Sequence, residues 1–312
     1  MGAPTDSIVL AYLNIHGQSG LTLTKQKQIE DFLRRYKIDV LNWQEINTDD
    51  ESFNQCTFLM YNYYILSNNA VNKYGTTTFI KNGFIAENIK MDTCGRAIFF
   101  DIENSTLGNV YLQSGTDGNS RGSREQYCAE TIPELLVNCK ESGCWGGDLN
   151  CITESKDCTS NPGAKKSPSM SRLTRAFSHI DSFRSIHPDV QEFSRFYTHT
   201  DGTVQASRID RSYHWGNCSI QEAEYRSVAF SDHFSFIVKV SLPGLDIITS
   251  PQSRHLFKTS PEVICDKVFK ERLAREMVEW KKVKERGLSI LPWWEIVVKL
   301  AYAALLSIEV KN

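Results

Sequence analysis

The stretch Ile8-Val-Leu-Ala-Tyr-Leu-Asn-Ile15 has the composition of a mostly buried β-strand, and His16 and Gly17 follow it as a turn. Apolar residues between Ile29 and Tyr36 then recur at the three-to-four spacing of one helix face, which predicts an amphipathic helix. Val40 to Trp43 predicts a second buried strand. The chain therefore begins as a strand, a helix and another strand.

The following part of the chain is richer in predicted strands than in helices. One helix is predicted to open at the capping box Ser123-Arg-Glu-Gln126 and to carry the apolar residues of 132–136, and another to run through Leu173 and Phe177. This order, alternating early and strand-rich late, predicts an α/β (α+β) fold class with two stacked mixed β-sheets flanked by helices. The further predicted strands are 76–81, 97–102, 109–113, 144–150, 195–199, 207–215, 223–228 and 233–240.

Composition limits the classes of protein to consider. With 312 residues, 41% hydrophobic and 23% charged, the chain is an ordinary globular sequence. Its formal charge of −2 supplies no global field that attracts polyanions, so contact with nucleic acid must come from local arginines and a metal ion. Nine cysteines without a C-x-x-C pair indicate reduced thiols, which favours a nuclear or cytoplasmic protein that is not secreted.

The character of the sequence changes after Pro243-Gly244. A segment rich in Ser, Pro and Arg leads into a charged amphipathic helix and then an apolar tail, so we predict a compact domain at 1–242 and a linker with a helical tail at 243–312. The apolar stretch Leu288 to Ile308 carries Glu295 and Lys299 in its middle, where charge is costly in a bilayer. We therefore expect no membrane partner.

Four short segments concentrate residues suited to metal-assisted cleavage. Asp148 and Asn150 share a strand face after two glycines, at an end where backbone can approach a ligand. Glu45, Asp210 and the Asp232-His233 pair are the other three. Taken singly, each segment has an ordinary alternative: an Asp/Asn turn, a solvated loop acid, a surface salt bridge and a polar pair that caps a strand.

Together, the series N-x-x-G, Q-E, N-x-Y, G-G-D-x-N, R-I-D-R and S-D-H resembles the motifs of the endonuclease/exonuclease/phosphatase superfamily. The resemblance covers residues 8–241 and is closest to the apurinic-endonuclease-like endonuclease of non-LTR (LINE-type) retrotransposons. It implies a DNase-I-like, four-layer sandwich. The matching residues are Asn14, Gln44, Glu45, Tyr111, Asp148, Asn150, Asp210, Asp232 and His233.

The resemblance also implies a metal site and a base. Glu45 would bind Mg²⁺, with Mn²⁺ as an alternative, and Asn14 would lie beside it. Asp232 would assist the metal or orient His233. Asp148 would position and deprotonate the attacking water, as a general base does.

The remaining roles implied by the resemblance concern the phosphate and the DNA. Asn150 and Tyr111 would donate hydrogen bonds to the scissile phosphate. Asp210 would hold His233 in the orientation that stabilises the developing charge. The residues expected to contact substrate are Tyr197, Thr198, Ser207 and Arg208.

The expected activity is nicking of DNA to leave 3′-hydroxyl and 5′-phosphate ends, as in target-primed retrotransposition. The tail would be the start of the region that precedes a reverse transcriptase in such elements, although about 70 residues cannot hold a polymerase. One alternative keeps the fold and changes the substrate to inositol phosphates or phospholipid head groups. The other is a domesticated interaction protein without catalysis that binds partners through the Trp293-Trp294 tail.

Overall fold

The computed structural model describes residues 7–16, 23–46, 63–68, 75–160 and 162–245. The chain divides into two units, residues 1–248 and 249–312, and every described residue belongs to the first. From residue 246 onward, the predicted linker and helical tail lie outside the described residues. The domain boundary near residue 242 therefore stays a prediction.

Fourteen strands are found among the described residues, and twelve of them form two six-stranded sheets. They are β1 Ser7–Asn14, β2 Val40–Ile46, β3 Tyr63–Asn68, β4 Gly75–Lys81, β5 Glu87–Met91, β6 Ala97–Ile102, β7 Ser105–Val110, β8 Ser142–Asp148, β9 Ile180–Asp181, β10 Arg195–Thr198, β11 Val204–Ser207, β12 Asp210–Trp215, β13 Ser219–Arg226 and β14 Ser235–Ser241. The first sheet has the order β13-β14-β1-β2-β4-β3, and the second β5-β6-β7-β8-β12-β9. Strands β10 and β11 pair as a separate hairpin.

Four of the five α-helices among the described residues cover the outer faces of the two sheets, and the fifth, which carries Phe183, packs on the core between them. The five helices are α1 Leu23–Tyr36, α2 Gly118–Ala129, α3 Thr131–Leu136, α4 Pro168–Ala176 and α5 Ser182–Ile186. Phe32 of α1 belongs to the core on the first sheet, while Cys128 of α2 and Met170 of α4 belong to the core on the second. None of the helices in the described part of the chain is long and apolar enough to span a bilayer.

A third apolar core fills the space between the sheets. Leu10 and Phe236 of the first sheet share this core with Phe100 and Cys144 of the second, and all four side chains are buried. Burying such side chains is worth about 1.5–3 kcal/mol each, so the two sheets are held together chiefly by this layer. The prediction of two stacked mixed sheets flanked by helices is confirmed, and the layers run helix, sheet, sheet, helix.

The differences from prediction have local causes. Strands β3, β5, β9 and β11 were not predicted. The first three lie at sheet edges, where a strand pairs on one side only and carries a weaker apolar pattern, and β11 pairs only with β10; the strand predicted at 207–215 is β12, which begins at Asp210. The helix predicted from Ser123 begins earlier, at Gly118, because the Asp117 carboxylate accepts hydrogen bonds from the Asn119 and Ser120 N–H groups. The strand predicted at 109–113 is β7 and ends at Val110.

Candidate active site

The directions of the central strands bring the predicted site to one end of the sandwich. In the first sheet β1 and β2 are parallel and end there, while β14 is antiparallel to β1 and begins there. In the second sheet β7 and β8 are parallel and end there, and antiparallel β12 begins there, with Asp210 opposite Asp148. Residues far apart in sequence therefore meet at one edge.

Three side-chain hydrogen bonds join the two sheets at this edge, which we call the cleft. Each bond pairs a residue of the first sheet with one of the second, so the cleft exists only when the sheets are packed together. The three bonds are Asn14 Nδ2 to Asp148 Oδ2 at 2.9 Å, Tyr111 Oη to Glu45 Oε1 at 2.6 Å, and His233 Nδ1 to Asp210 Oδ2 at 2.9 Å.

Asp148 is the most tightly held carboxylate of the cleft. It is fully buried and accepts hydrogen bonds from the Asn14 amide, the Asn150 amide at 3.0 Å and the Asn150 backbone N–H at 3.0 Å. Burial, followed by the negative charges of Asp210 and Glu45, raises the pKa of Asp148 to about 7. A carboxylate with this pKa can take a proton at neutral pH.

Asp210 and His233 form a buried pair beside Asp148. Burial alone would favour a neutral ring, but the adjacent Asp210 carboxylate more than offsets it and raises the pKa of His233 to about 9. The ring is therefore held as a cation at neutral pH. The other Asp210 oxygen, Oδ1, is buried and has no hydrogen-bond partner among the described residues, which is costly unless something positive or protic meets it.

Glu45 reaches the cleft through an irregularity in β2. The pairing of β2 with β4 shifts register between Trp43 and Ile46, and Glu45 has a left-handed φ of 56°. Such irregularities re-aim side chains next to active sites. The same backbone conformation recurs at His16, φ 53°, and Asn150, φ 44°. All three residues lie near the ends of strands that form the cleft, at a cost of order 1 kcal/mol each.

Tyr111 keeps its proton in this setting. Burial, then the charges of Asp148 and Glu45, raise the pKa of the Tyr111 phenol. The hydroxyl is thus a donor, which in the described arrangement points to the Glu45 carboxylate.

Gly147 allows β8 to run unusually close to β7. A Cβ at Gly147, φ +141°, would lie 2.0 Å from the Val110 carbonyl oxygen. The glycines before Asp148 were expected to let backbone approach a ligand. Gly147 instead lets β8 lie against the Val110 carbonyl of β7, and the next residue, Asp148, is fully buried.

A polar network between the sheets supports the strand that carries Glu45. Gln44 Nε2 donates to Asn109 Oδ1 at 2.8 Å, across the inter-sheet space. Asn109 in turn donates to the Trp43 carbonyl at 3.1 Å, and Thr78 donates to Asn42 at 2.8 Å. Buried hydrogen bonds of this kind resist sliding of one sheet over the other, so Gln44 of the Q-E motif helps to fix the strand that carries Glu45.

Two sets of side chains could hold a divalent cation. Asp148, Asp210 and His233 offer ligand atoms within 4.8 Å of one another, all buried. Glu45 and Asp232 are half-exposed or exposed at the mouth of the cleft. Carboxylate oxygens are the ligands that Mg²⁺ and Mn²⁺ prefer, and the unpartnered Asp210 Oδ1 shows a local excess of acceptors. The residues therefore fit a divalent metal ion.

Two residues at the mouth of the cleft were not predicted as site residues. Arg195 Nη2 lies 3.4 Å from Asp232 Oδ2, and its backbone bridges to His233. His16 Nδ1 lies 3.7 Å from Asp232 Oδ1 and 4.0 Å from Glu45 Oε2. His16 had one available signal, because it occupies the second variable position of the N-x-x-G motif that begins at Asn14. Arg195 had none.

The residues expected to contact substrate lie in different environments. Tyr197 and Thr198 are exposed on the β10–β11 hairpin, which also carries Arg195. Ser207 is buried at the end of the hairpin and accepts a hydrogen bond from Lys165 Nζ at 3.2 Å. The structure thus places an exposed aromatic and a half-buried lysine on the hairpin side of the cleft.

Arg208 is placed where a substrate cannot reach it. The side chain is fully buried, and its guanidinium donates to Asp157 at 2.9 and 3.1 Å and to Asp181 at 2.7 and 3.1 Å. Arg211, also fully buried, lies 3.8 Å from the same Asp157, and Arg184 bonds it at 2.6 Å. We name these five residues the arginine cluster. The arginines of R-I-D-R were weighed as partners in a surface salt bridge, but both are interior.

No protein-family model and no curated protein sequence matches the chain. Solved structures match its fold. An AP endonuclease from Archaeoglobus fulgidus superposes with a TM-score of 0.58 at 17% identity over 74% of this chain and 98% of that one. An AP endonuclease from Leishmania major superposes with a TM-score of 0.59 at 18% identity and covers 78% of this chain and 90% of its own. A 3′-5′ exonuclease from Neisseria meningitidis superposes with a TM-score of 0.61 at 16% identity and covers 74% of this chain and 98% of its own. The chain thus shares the DNase-I-like sandwich fold of these enzymes.

Proposed function

We propose that this chain is a divalent-metal-dependent phosphodiesterase that nicks DNA and leaves 3′-hydroxyl and 5′-phosphate ends. The observation that carries the proposal is that Asp148, Asp210 and His233 meet in one buried cleft, with ligand atoms within 4.8 Å of one another and His233 Nδ1 2.9 Å from Asp210 Oδ2. Hydrolysis of a phosphodiester needs a base for water and positive charge for the phosphate. The cleft contains both.

Asp148 is suited to the role of general base. Its pKa near 7 lets the carboxylate accept a proton from water at neutral pH, and three hydrogen bonds from Asn14 and Asn150 fix its orientation. Asn150 also donates to the Leu112 carbonyl at 2.9 Å, so its amide is itself held in place. We propose that Asn150 and Tyr111 turn these donors toward the phosphate when substrate is bound.

His233 supplies the positive charge. Asp210 accepts its Nδ1–H and keeps the ring protonated at neutral pH, which leaves Nε2–H as a donor for a phosphate oxygen. Because the pair is buried, its charge is weakly screened and acts strongly on the charge that develops at phosphorus. Glu45 and Asp232, with Asn14 beside them, are the residues that would hold Mg²⁺ or Mn²⁺. That ion would neutralise phosphate oxygens.

DNA is the substrate that the surroundings favour. Solved structures with this fold include AP endonucleases and a 3′-5′ exonuclease, and a 3′ phosphatase from Neisseria is bound to a product DNA hairpin. In this chain Arg195, Lys165 and exposed Tyr197 lie on or against one hairpin, and cations with an aromatic platform suit a nucleic-acid strand. On the motif series of residues 8–241, we further propose that the chain is the nicking domain of a LINE-type element.

The test is relaxation of supercoiled plasmid in Mg²⁺, in Mn²⁺ and in EDTA. We expect nicked circles with either ion and none in EDTA, and sealing of the nicks by DNA ligase without kinase treatment would identify 3′-hydroxyl and 5′-phosphate ends. His233→Ala should lower the rate about 10²- to 10³-fold with unchanged circular dichroism. His187→Gln, at a histidine that packs on Phe183, is the matched control and should nick normally.

Other results would replace the proposal. Release of phosphate from an inositol phosphate, with plasmid left intact, would establish the small-molecule phosphatase alternative. Shortening of linear DNA from its ends without nicking of circles would indicate an exonuclease. Inactivity of the folded wild type on every substrate would favour the non-catalytic interaction protein.

A further inference from the structure

Ser194 is a fully buried residue that immediately precedes strand β10. Its hydroxyl oxygen accepts hydrogen bonds from two successive backbone N–H groups, those of Ile209 and Asp210, both at 3.0 Å. Asp210 is the first residue of β12 in the second sheet. The Ser194 hydroxyl therefore holds the piece of backbone from which the Asp210 carboxylate projects.

The backbone of Ser194 is bonded next to the other member of the Asp210–His233 pair. The Ser194 carbonyl oxygen accepts the Phe234 N–H at 2.7 Å, and the following residue, Arg195, pairs with His233 as an antiparallel bridge. His233 and Phe234 directly precede β14 of the first sheet. One serine thus joins the start of a strand in each sheet, at the point where the buried pair lies.

The buried pair depends on a fixed separation between these two strands. Its hydrogen bond, 2.9 Å from His233 Nδ1 to Asp210 Oδ2, crosses from one sheet to the other. Hydrogen bonds weaken steeply when donor and acceptor are misaligned. Other groups also hold each partner, since Tyr225 Oη donates to the Asp210 carbonyl at 2.8 Å and Ser231 Oγ accepts the His233 N–H at 3.0 Å. Ser194 differs from both because it is bonded beside both partners.

We propose that Ser194 is a positioning residue that fixes the Asp210 carboxylate and the His233 ring relative to each other. This inference rests on the proposed function, because the alignment of the pair matters for cleavage only if the ring acts on a phosphate. Loss of the hydroxyl would leave two buried backbone N–H groups without their acceptor, which is unfavourable. The backbone at Asp210 would then shift to regain a partner, and the bond to His233 would lose its alignment.

The kinetic test is the rate of plasmid nicking by Ser194→Ala in the full chain. We expect kcat to fall about 10- to 100-fold, the range for loss of a group that orients a catalytic residue. KM should stay unchanged, because Ser194 is buried and would act on the reacting groups only through the pair. Ser194→Thr, which keeps a hydroxyl on the same carbon, should restore most of the rate.

A second measurement observes the pair directly, without DNA. In a full chain labelled with ¹⁵N-histidine, the Nδ1–H proton of His233 that is donated to a carboxylate should give a far-downfield magnetic resonance signal. His233→Gln assigns the signal by removing it. At one pH and temperature, we expect the signal in the wild type and in Ser194→Thr, and its loss or broadening in Ser194→Ala.

Ser142→Ala is the matched control. Ser142 is also a buried serine, and its hydroxyl accepts a backbone N–H, that of Asn217, at 2.9 Å. It begins β8, whereas Asp148 ends the same strand, so Ser142 lies at the opposite end of the sandwich from the cleft. This variant should lower the midpoint of urea unfolding, as Ser194→Ala should, but keep the wild-type kcat and the His233 signal.

The outcomes separate this inference from the proposed function. Wild-type kcat and signal in Ser194→Ala, or equal losses of kcat in Ser194→Ala and Ser142→Ala, would overturn the positioning role, and so would absence of the signal from the wild type. If Ser194→Ala does not fold, Ser194→Cys, which offers a weaker acceptor of similar size, takes its place in both measurements. If the wild type nicks no DNA, the proposed function fails, while loss of the signal in Ser194→Ala and its return in Ser194→Thr would still support the positioning role.

Discussion

The molecule contains two buried charged regions on either side of the start of β12, and they are built differently. In the cleft, each of the three principal hydrogen bonds joins one sheet to the other, and Asp210 Oδ1 is left without a partner among the described residues. In the arginine cluster, Asp157 and Asp181 are met by guanidiniums, and its residues lie in the second sheet, its helix α5 and its loops. A buried cluster in which every carboxylate meets a guanidinium is typical of a structural role, whereas a buried carboxylate oxygen without a partner is typical of a functional site.

Asp148→Asn gives the sharpest test of this difference. Removal of the carboxylate should lower nicking by about 10²- to 10⁴-fold, the range for a general base. It should not lower the free energy of unfolding, because the ionised form is disfavoured by burial and by the charge of Asp210. Plasmid relaxation and urea unfolding measure the two quantities. Asp189→Asn, at an exposed loop acid, should change neither.

A loss of stability in Asp148→Asn equal to that of a core mutation would contradict the comparison. It would mean that Asp148 serves the fold as Asp157 does. Unchanged nicking by the folded variant would exclude the residue as the base.

Arg208→Met should have the opposite result. It removes a guanidinium that bonds two aspartates and leaves both buried without that partner, which costs about 3–5 kcal/mol. We expect a large fall in the midpoint of urea unfolding, whereas the nicking rate of the folded fraction should fall far less than in Asp148→Asn. Arg175→Met, at an exposed residue of α4, is the matched control and should change the midpoint little.

Normal stability in Arg208→Met together with lost nicking would show that Arg208 does act on substrate. That result would restore the role expected from the sequence. It would also require the cluster to open when DNA binds.

The smallest of the three effects should be the pH dependence of the loss of stability in Asp157→Asn. Although burial opposes it, hydrogen bonds and charge from Arg208, with Arg211 and Arg184 beside it, lower the pKa of Asp157. A depressed folded-state pKa gives stability that is complete above the unfolded value, about 3.9, and is lost as pH falls through the folded value. The difference in unfolding free energy between wild type and variant should therefore shrink from pH 5 to pH 3. A difference that stays constant would mean that Asp157 has no such role.

The sequence predicted the fold class and the central strands, because these strands carry strong apolar runs. It did not predict edge strands β3 and β5, whose residues are more exposed and whose pattern is correspondingly weaker. Glu45, Asp148, Asp210 and His233, which the motif series predicted to share one site, lie in one cleft. The roles assigned to them stay predictions.

Side-chain environment was harder to predict than position. Nothing in R-I-D-R distinguishes a buried arginine from an exposed one, since the distinction depends on Asp157 and Asp181, which come from a distant loop and an edge strand. His16 lies within the N-x-x-G motif, but its carboxylate neighbours Glu45 and Asp232 come from the end of β2 and from just before β14, which its own stretch of sequence does not indicate.

The hydrogen bonds that cross between the sheets divide the proposed active site between two layers. One layer supplies Asn14, Glu45 and His233, the other Tyr111, Asp148 and Asp210, and neither half can act alone. During refolding, we expect the proposed nicking activity to return only when the two layers have packed together, after the secondary structure has formed. A ligand that binds in the apolar core between the sheets and moves the two layers apart would inhibit the proposed activity without contacting the residues of the cleft.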